Sequence, residues 1–222
     1  MRLKLRVVTS DNVIQKRTLQ ALSQLIEPRL KELIPKIQDT ARNLLANSLE
    51  NSPEYQSLLG GRLQTEVGVV NPEATLIPLT QALTNSVTVK LIGPKISNSQ
   101  LLASIRLSAA PRNLGDQVKH LGIYTTRKGE QIAWLDWLLN YGDQIIVRDY
   151  DVDFSAPFFS RTGGAIMSGA GSIFGDTEAN SDGGWRVPPE FSGTEDNNFL
   201  TRSIDQASIP LEQFMTQSFK NL

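Results

Sequence analysis

DNVIQKRTLQALSQLIEPRLKELIPKIQDTARNLLANSL, residues 11–49, carries apolar side chains at Ile14, Leu22, Leu25, Ile26, Leu30, Leu33, Ile37, Ala41, Leu44, Leu45 and Leu49. Steps of three and four residues, sustained through the whole stretch, are the spacing of one helical face. Thr9-Ser10-Asp11 supplies N-cap chemistry in front of it. Pro28 and Pro35 lie inside the pattern. An interior proline removes a backbone donor and crowds the preceding turn, so the stretch predicts two consecutive helices with a break near one of the prolines.

Working outward toward the N-terminus, Leu3, Leu5 and Val7 alternate with Arg2, Lys4 and Arg6, the period of a strand with one solvated face. Toward the C-terminus, Ser52-Pro53-Glu54 restarts a helix with serine as cap and proline at the first helical position, and Gly60-Gly61 stops it. Strand patterns then take over, over 86–92 (Val87, Val89, Leu91) and 101–109 (Leu101, Ala103, Ile105, Leu107), with Gly93-Pro94 separating the two. Residues 132–139, with Trp134, Leu135, Trp137 and Leu138, read as a short helix stopped by Gly142, and residues 145–154 as one long strand. A short helix over 197–207 and a last one capped by Ser208-Ile209-Pro210, with Leu211, Phe214, Met215 and Phe219 in one stripe, complete the chain. The expected fold is α+β: long N-terminal helices packed on a mostly antiparallel sheet, with a C-terminal helix.

Residues 155–193 depart from this regularity. They hold eight of the sixteen glycines and little periodicity, so they read as an extended arm or loop on a single domain spanning 1–222. Loops of this length inside compact domains are uncommon and are usually functional or disordered. Phe158, Phe159, Ile166, Met167, Ile173, Phe174 and Trp185 are too apolar for a flexible linker. In Gly184-Trp185-Arg186-Val187-Pro188-Pro189-Glu190-Phe191, tryptophan and arginine flank a stiff Pro-Pro, and such side chains anchor interfaces. Trp185, Arg186, Pro188, Pro189 and Phe191 therefore join the candidate subunit or partner interface. An arm packed back onto its own domain is the equal alternative.

Composition narrows the chemistry. Of 222 residues, 22 are basic and 23 acidic, a formal net charge of -1, so no global field draws the protein to nucleic acid or to an anionic membrane. The absence of cysteine removes disulfides, thiolate metal sites and cysteine nucleophiles. The first residues alternate basic with apolar, and no run of about 20 apolar residues occurs, so neither a signal peptide nor a membrane span is expected. His120 is the lone histidine, which rules out any site needing two imidazoles. An ordinary loop or strand-end histidine is the favoured reading.

The best enzymatic candidate is Asp149-Tyr150-Asp151-Val152-Asp153. Residues two apart on a strand share a face, so Asp149, Asp151 and Asp153 form a carboxylate row suited to a divalent cation or an acid/base pair. The same row is what the wet face of a half-buried strand looks like, with Tyr150, Val152 and Phe154 opposite, and a charged edge blocks unwanted pairing. That second reading is preferred. The glycines of residues 169–175 lack the strand before and helix after that a dinucleotide loop requires. Gly60-Gly61-Arg62 lacks the lysine of a phosphate loop. No catalytic, cofactor-binding or metal residue is assigned, and no enzyme activity is expected.

Taken in order, the short strand, long helical section, Ser52-Pro53-Glu54-Tyr55, Leu59-Gly60-Gly61-Arg62-Leu63, the strands, and Asn198-Phe199-Leu200-Thr201-Arg202-Ser203-Ile204 before a final helix resemble the tail-completion and head–tail joining (neck) family of tailed bacteriophages, the group that includes the minor tail protein Z of lambda. Gly61-Arg62-Leu63 matches that family's turn into the sheet, and Phe199 to Ile204 its motif opening the last helix. The prolines that the family places around Phe199 are missing here, and the block 134–150 and the arm make this chain longer than compact members. The resemblance implies a virion structural protein in the neck or tail, assembled in the host cytoplasm. It implies a homo-oligomeric ring of six copies between the head connector and the tail tube or terminator, through which DNA passes without specific binding. Asp149, Asp151 and Asp153 are then expected to face the lumen. A tail terminator or other neck or baseplate ring protein is the alternative within the class, and a virion-associated carboxylate glycosidase the alternative outside it.

Overall fold

The computed structural model describes residues 10–97, 100–109, 114–125, 131–148, 150–153, 165–169 and 184–220. The expected first strand and Phe158, Phe159, Ile173, Phe174 and Asp149 lie outside these residues. The fold mixes helix and strand as expected, and one long helix opens it. Helix α1, Asp11–Glu50, runs unbroken through Pro28 and Pro35, where two helices were expected. Each proline withholds one main-chain hydrogen bond but leaves the helical path open. Both prolines sit on the exposed side of the helix, where water satisfies the carbonyl each one leaves free. Leu30, Ile37, Ala41, Leu45 and Leu49 make its buried stripe.

Helix α2, Pro53–Gly60, starts on Ser52, whose hydroxyl accepts from Tyr55 N at 3.3 Å. Two helices follow in a stretch for which no element was expected: α3, Arg62–Val67, and α4, Glu73–Asn85. Leu76, Leu79 and Leu83 give α4 its buried face at spacings of three and four. Pro78 in their midst disguises the pattern.

Strands β1, Thr88–Ser97, and β2, Gln100–Ser108, form the longest antiparallel ribbon. Gly93-Pro94 does not separate them. It lies within β1, where the register shifts between Ile92 and Lys95 and Gly93 takes φ 98°. A side chain is disfavoured there, and the missing proline N–H is tolerated at a bulge. Helix α5, Leu114–Val118, leads through a 3-10 turn, Lys119–Gly122, to the short pair β3, Ile123–Thr125, and β4, Gln131–Ala133. Helix α6, Trp134–Asn140, follows. The single strand expected over 145–154 is instead β5, Val147–Arg148, and β6, Tyr150–Asp153. These two pair with different partners, β8, Gly184–Trp185, and β7, Ile166–Gly169. All four ribbons are antiparallel and two-stranded among the described residues.

Helix α7, Phe199–Lys220, is one helix through Pro210 and not the expected two. It runs antiparallel to the start of the chain: Arg202 pairs with Glu54, and four residues on Gln206 accepts from Ser48 Oγ at 3.2 Å. One buried cluster, Ala41, Leu45, Val87, Ala207 and Leu211, seals α1 to α7 and to the base of the hairpin. The larger cluster gathers Leu58, Leu63, Leu76, Leu79, Trp134, Leu138, Trp185 and Phe199 around α6.

Candidate functional site

The C-terminal part of the expected arm is held by its own chain. Trp185 is 2% exposed and Val187 fully buried in the larger core cluster. The Trp185 ring lies 5.6 Å from that of Trp137, tilted by 58°. Its indole N–H donates to Glu66 Oε2 at 3.2 Å. Arg62 bonds the other oxygen of that carboxylate and reaches Glu190 at 3.3 Å. Glu66 is 4% exposed, so its charge is tolerable only because two donors meet it. The hydrogen bond to Glu66 holds the Arg62 guanidinium above its ordinary pKa, against the desolvation that burial brings.

This corrects the expectation for Trp185: no partner is needed to bury it. Pro188 is buried too, its carbonyl accepting from Phe191 N at 2.8 Å and Ser192 N at 3.0 Å, and Phe191 packs against the larger core cluster. Arg186 is half-buried and Pro189 exposed. Ile166 and Met167 sit on β7, paired with Asp153 and Val152 of β6. Asp151 and Asp153 belong to β6, which pairs with a different strand from β5, and Asp149 lies outside the described residues.

Residues that sequence reasoning missed hold in place α7 and the strap that leads into it, residues 184–198. Asn198 caps α7: its Oδ1 accepts from Leu200 N at 3.1 Å and Thr201 N at 3.2 Å. Its amide donates to Thr194 O at 3.0 Å and Leu139 O at 3.4 Å, and its own N–H donates to Thr201 Oγ1 at 2.8 Å. The signal was present as Asn-x-x-Thr, a reciprocal cap. Glu54, 3% exposed, is met by Arg202. Nothing in the spacing of residues 54 and 202 announces that pair.

Clefts mark the surface among the described residues. One, about 810 Å³, lies between α4 and α5, with Pro78, Ala82, Leu114, Val118 and Leu121 on its walls and His120 among its lining residues. Among the described residues no carboxylate lines it, so His120 has no acid partner there. A second cleft, about 720 Å³, carries Asp116, Glu195 and Asp196 beside Asn140 and Asn198. A third, about 360 Å³, runs between α1 and α4 past Arg42, Tyr55 and Ile77. Among the described residues no three histidine or carboxylate side chains converge as metal ligands would.

What stands out instead is apolar surface. On α1, Val13, Ile14, Leu22 and Leu25 are 40 to 61% exposed. On the hairpin, Ile92, Ile96 and Leu102 are 38 to 53% exposed. Single exposed aliphatics are ordinary, but runs of them on a projecting helix and a two-stranded ribbon mark surfaces that associate. No described helix is long and apolar enough to cross a membrane. Comparison with protein-family models, with curated proteins and with solved structures finds no match to this chain.

Proposed function

We propose that this chain is a structural protein of a tailed-phage virion, a neck or tail component that completes the tail and joins it to the head connector as a ring. The observation that carries the reading is the two-stranded β1–β2 ribbon, with Ile92, Ile96 and Leu102 left 38 to 53% exposed. Full burial of such a side chain is worth about 1.5 to 3 kcal/mol, and leaving three of them roughly half exposed along one ribbon forgoes about half of that each, which association recovers. A ring uses two different faces of each subunit, and the β1–β2 ribbon offers one of them. Tail tube or terminator on one side and connector on the other are the partners this reading implies, with no enzyme activity of its own and no cofactor. The Gly-rich segment 155–183 remains the part of the arm proposed to reach a neighbour. Asp149, Asp151 and Asp153 remain the proposed lumen residues.

The experiment is complementation in the phage that encodes the chain. Particles made without it should accumulate as filled heads and separate tails in electron micrographs, and adding the purified protein should restore joined, infectious virions. Joined particles in its absence overturn the neck reading. Loss of host lysis with intact particles would favour the glycosidase alternative.

A further inference from the structure

Helix α1 is apolar on two faces, and among the described residues its fully buried side chains lie on one of them. At about 100° per residue, Leu19, Ile26, Leu30, Leu33 and Ile37 share one side of the helix, and Leu30 and Ile37 are 3% and 0% exposed. Asp11, Ile14, Thr18, Leu22, Leu25 and Arg29 fall within a sector of about 80°, centred roughly 90° away. On that second stripe Ile14 is 44%, Leu22 40% and Leu25 61% exposed. The Thr18 hydroxyl donates to Ile14 O at 3.0 Å, which leaves its methyl group for packing.

We infer that this second stripe is the contact between two copies of the chain, joined antiparallel through α1. Its order is acid, aliphatic, small, aliphatic, aliphatic, base, and its spacing is nearly the same from either end. A reversed copy crossing near residue 20 sets Asp11 against Arg29, Ile14 against Leu25 and Thr18 against Leu22, each twice. Opposite charges then close both ends of an apolar centre. A parallel pair would instead set Asp11 against Asp11 and Arg29 against Arg29, and like charges facing each other are unfavourable. Charge therefore selects both the partner, a second copy, and its direction.

The overlap from Asp11 to Arg29 is about 28 Å long at 1.5 Å per residue. A contact of that length lies at the small end of specific interfaces, so it forms at high protein concentration or where other contacts already hold the copies together. Because the same patch is used twice, it closes at two copies and differs from the contact a ring uses. It stands or falls independently of the neck reading.

The chain contains no cysteine, so the full-length protein is a clean background for cross-linking. Ile14→Cys and Leu25→Cys, made singly and distinguished by a small mass tag, are incubated alone and mixed under mild oxidation. The mixture should give the mixed disulfide dimer at least about tenfold more than either variant gives its own dimer, because a disulfide needs Cα atoms within roughly 7 Å. Each variant coupling to itself as well as to the other overturns the antiparallel register. No coupling in the mixture overturns the self-contact and leaves the stripe to residues 1–9 or to a different partner. A second measurement avoids cysteine: Asp11→Arg or Arg29→Asp alone should weaken dimerisation by about tenfold in sedimentation equilibrium, and the double exchange should restore it. A double variant as weak as the singles, or wild-type protein monomeric at millimolar concentration, overturns the proposal. All four positions are exposed, so unchanged far-ultraviolet circular dichroism checks that folding is intact.

Discussion

Glu66 joins three parts of the sequence: it accepts from Arg62 one turn earlier and from the indole of Trp185, 119 residues later. Trp185→Phe keeps an aromatic ring but removes the donor, leaving a buried carboxylate oxygen short of a partner. A loss of about 1 to 3 kcal/mol is expected in urea denaturation. Arg62 is the pH-sensitive member with a shift. Its pKa is raised by Glu66, so its contribution is complete below the ordinary arginine range and fades only as pH rises through and beyond it. That window lies far above neutrality, so between about pH 6 and 9 the arginine is a constant. Gly122 marks a different constraint. A Cβ there would run into the Cβ of Leu135 and lie 2.9 Å from Leu135 N, so Gly122→Ala must push α6 outward and should cost about 1 to 3 kcal/mol, read as a lower thermal midpoint. Asn198→Ala removes the cap of α7 together with its tie to Leu139. The expected loss is about 2 kcal/mol, the upper end for a cap.

At the scale of elements, proline is where sequence and structure part company. Pro28, Pro35, Pro78 and Pro210 all lie inside helices, and each splits, hides or restarts the periodicity that a reader follows. The local rule is sound, but packing of Ala41 and Leu45, the buried residues one and two turns beyond Ile37, against α7 outweighs one missing hydrogen bond. Pro35 is exposed. Pro35→Ala should therefore restore that bond and raise stability by about 1 to 3 kcal/mol, seen as a higher midpoint with greater helical ellipticity. The α+β class, the buried stripe of α1, the Ser52 cap, both hairpin strands and the Trp134 helix were legible because each has a short-range signal. The strap was not. Trp185 and Val187 belong to the core through partners on α3 and α6, and no local pattern distinguishes such a segment from a free arm. Deleting residues 155–193 takes both away and should abolish cooperative unfolding, read as loss of the sigmoidal thermal transition.

For the whole molecule, assembly is the reading that its surfaces support, and mass distinguishes its versions. A ring of six predicts a particle of about six times the 24.5 kDa chain once the connector or tail end is present as a template. The α1 contact alone predicts no species larger than two. Both can be read by mass photometry, with and without Leu25→Asp, which should remove the pair and leave a templated ring. The antiparallel seam between the first and last long helices carries one more consequence, in the order of synthesis. α1 leaves the ribosome well before α7, and at a few to twenty residues per second the interval is on the order of ten seconds or more. Throughout it Ala41 and Leu45 await Ala207 and Leu211, and Glu66 awaits Trp185. The nascent chain thus shows both apolar faces of α1 at once, one to be covered from within and one still open when folding ends, making early capture by a chaperone or a neighbouring nascent copy the main hazard of its biogenesis.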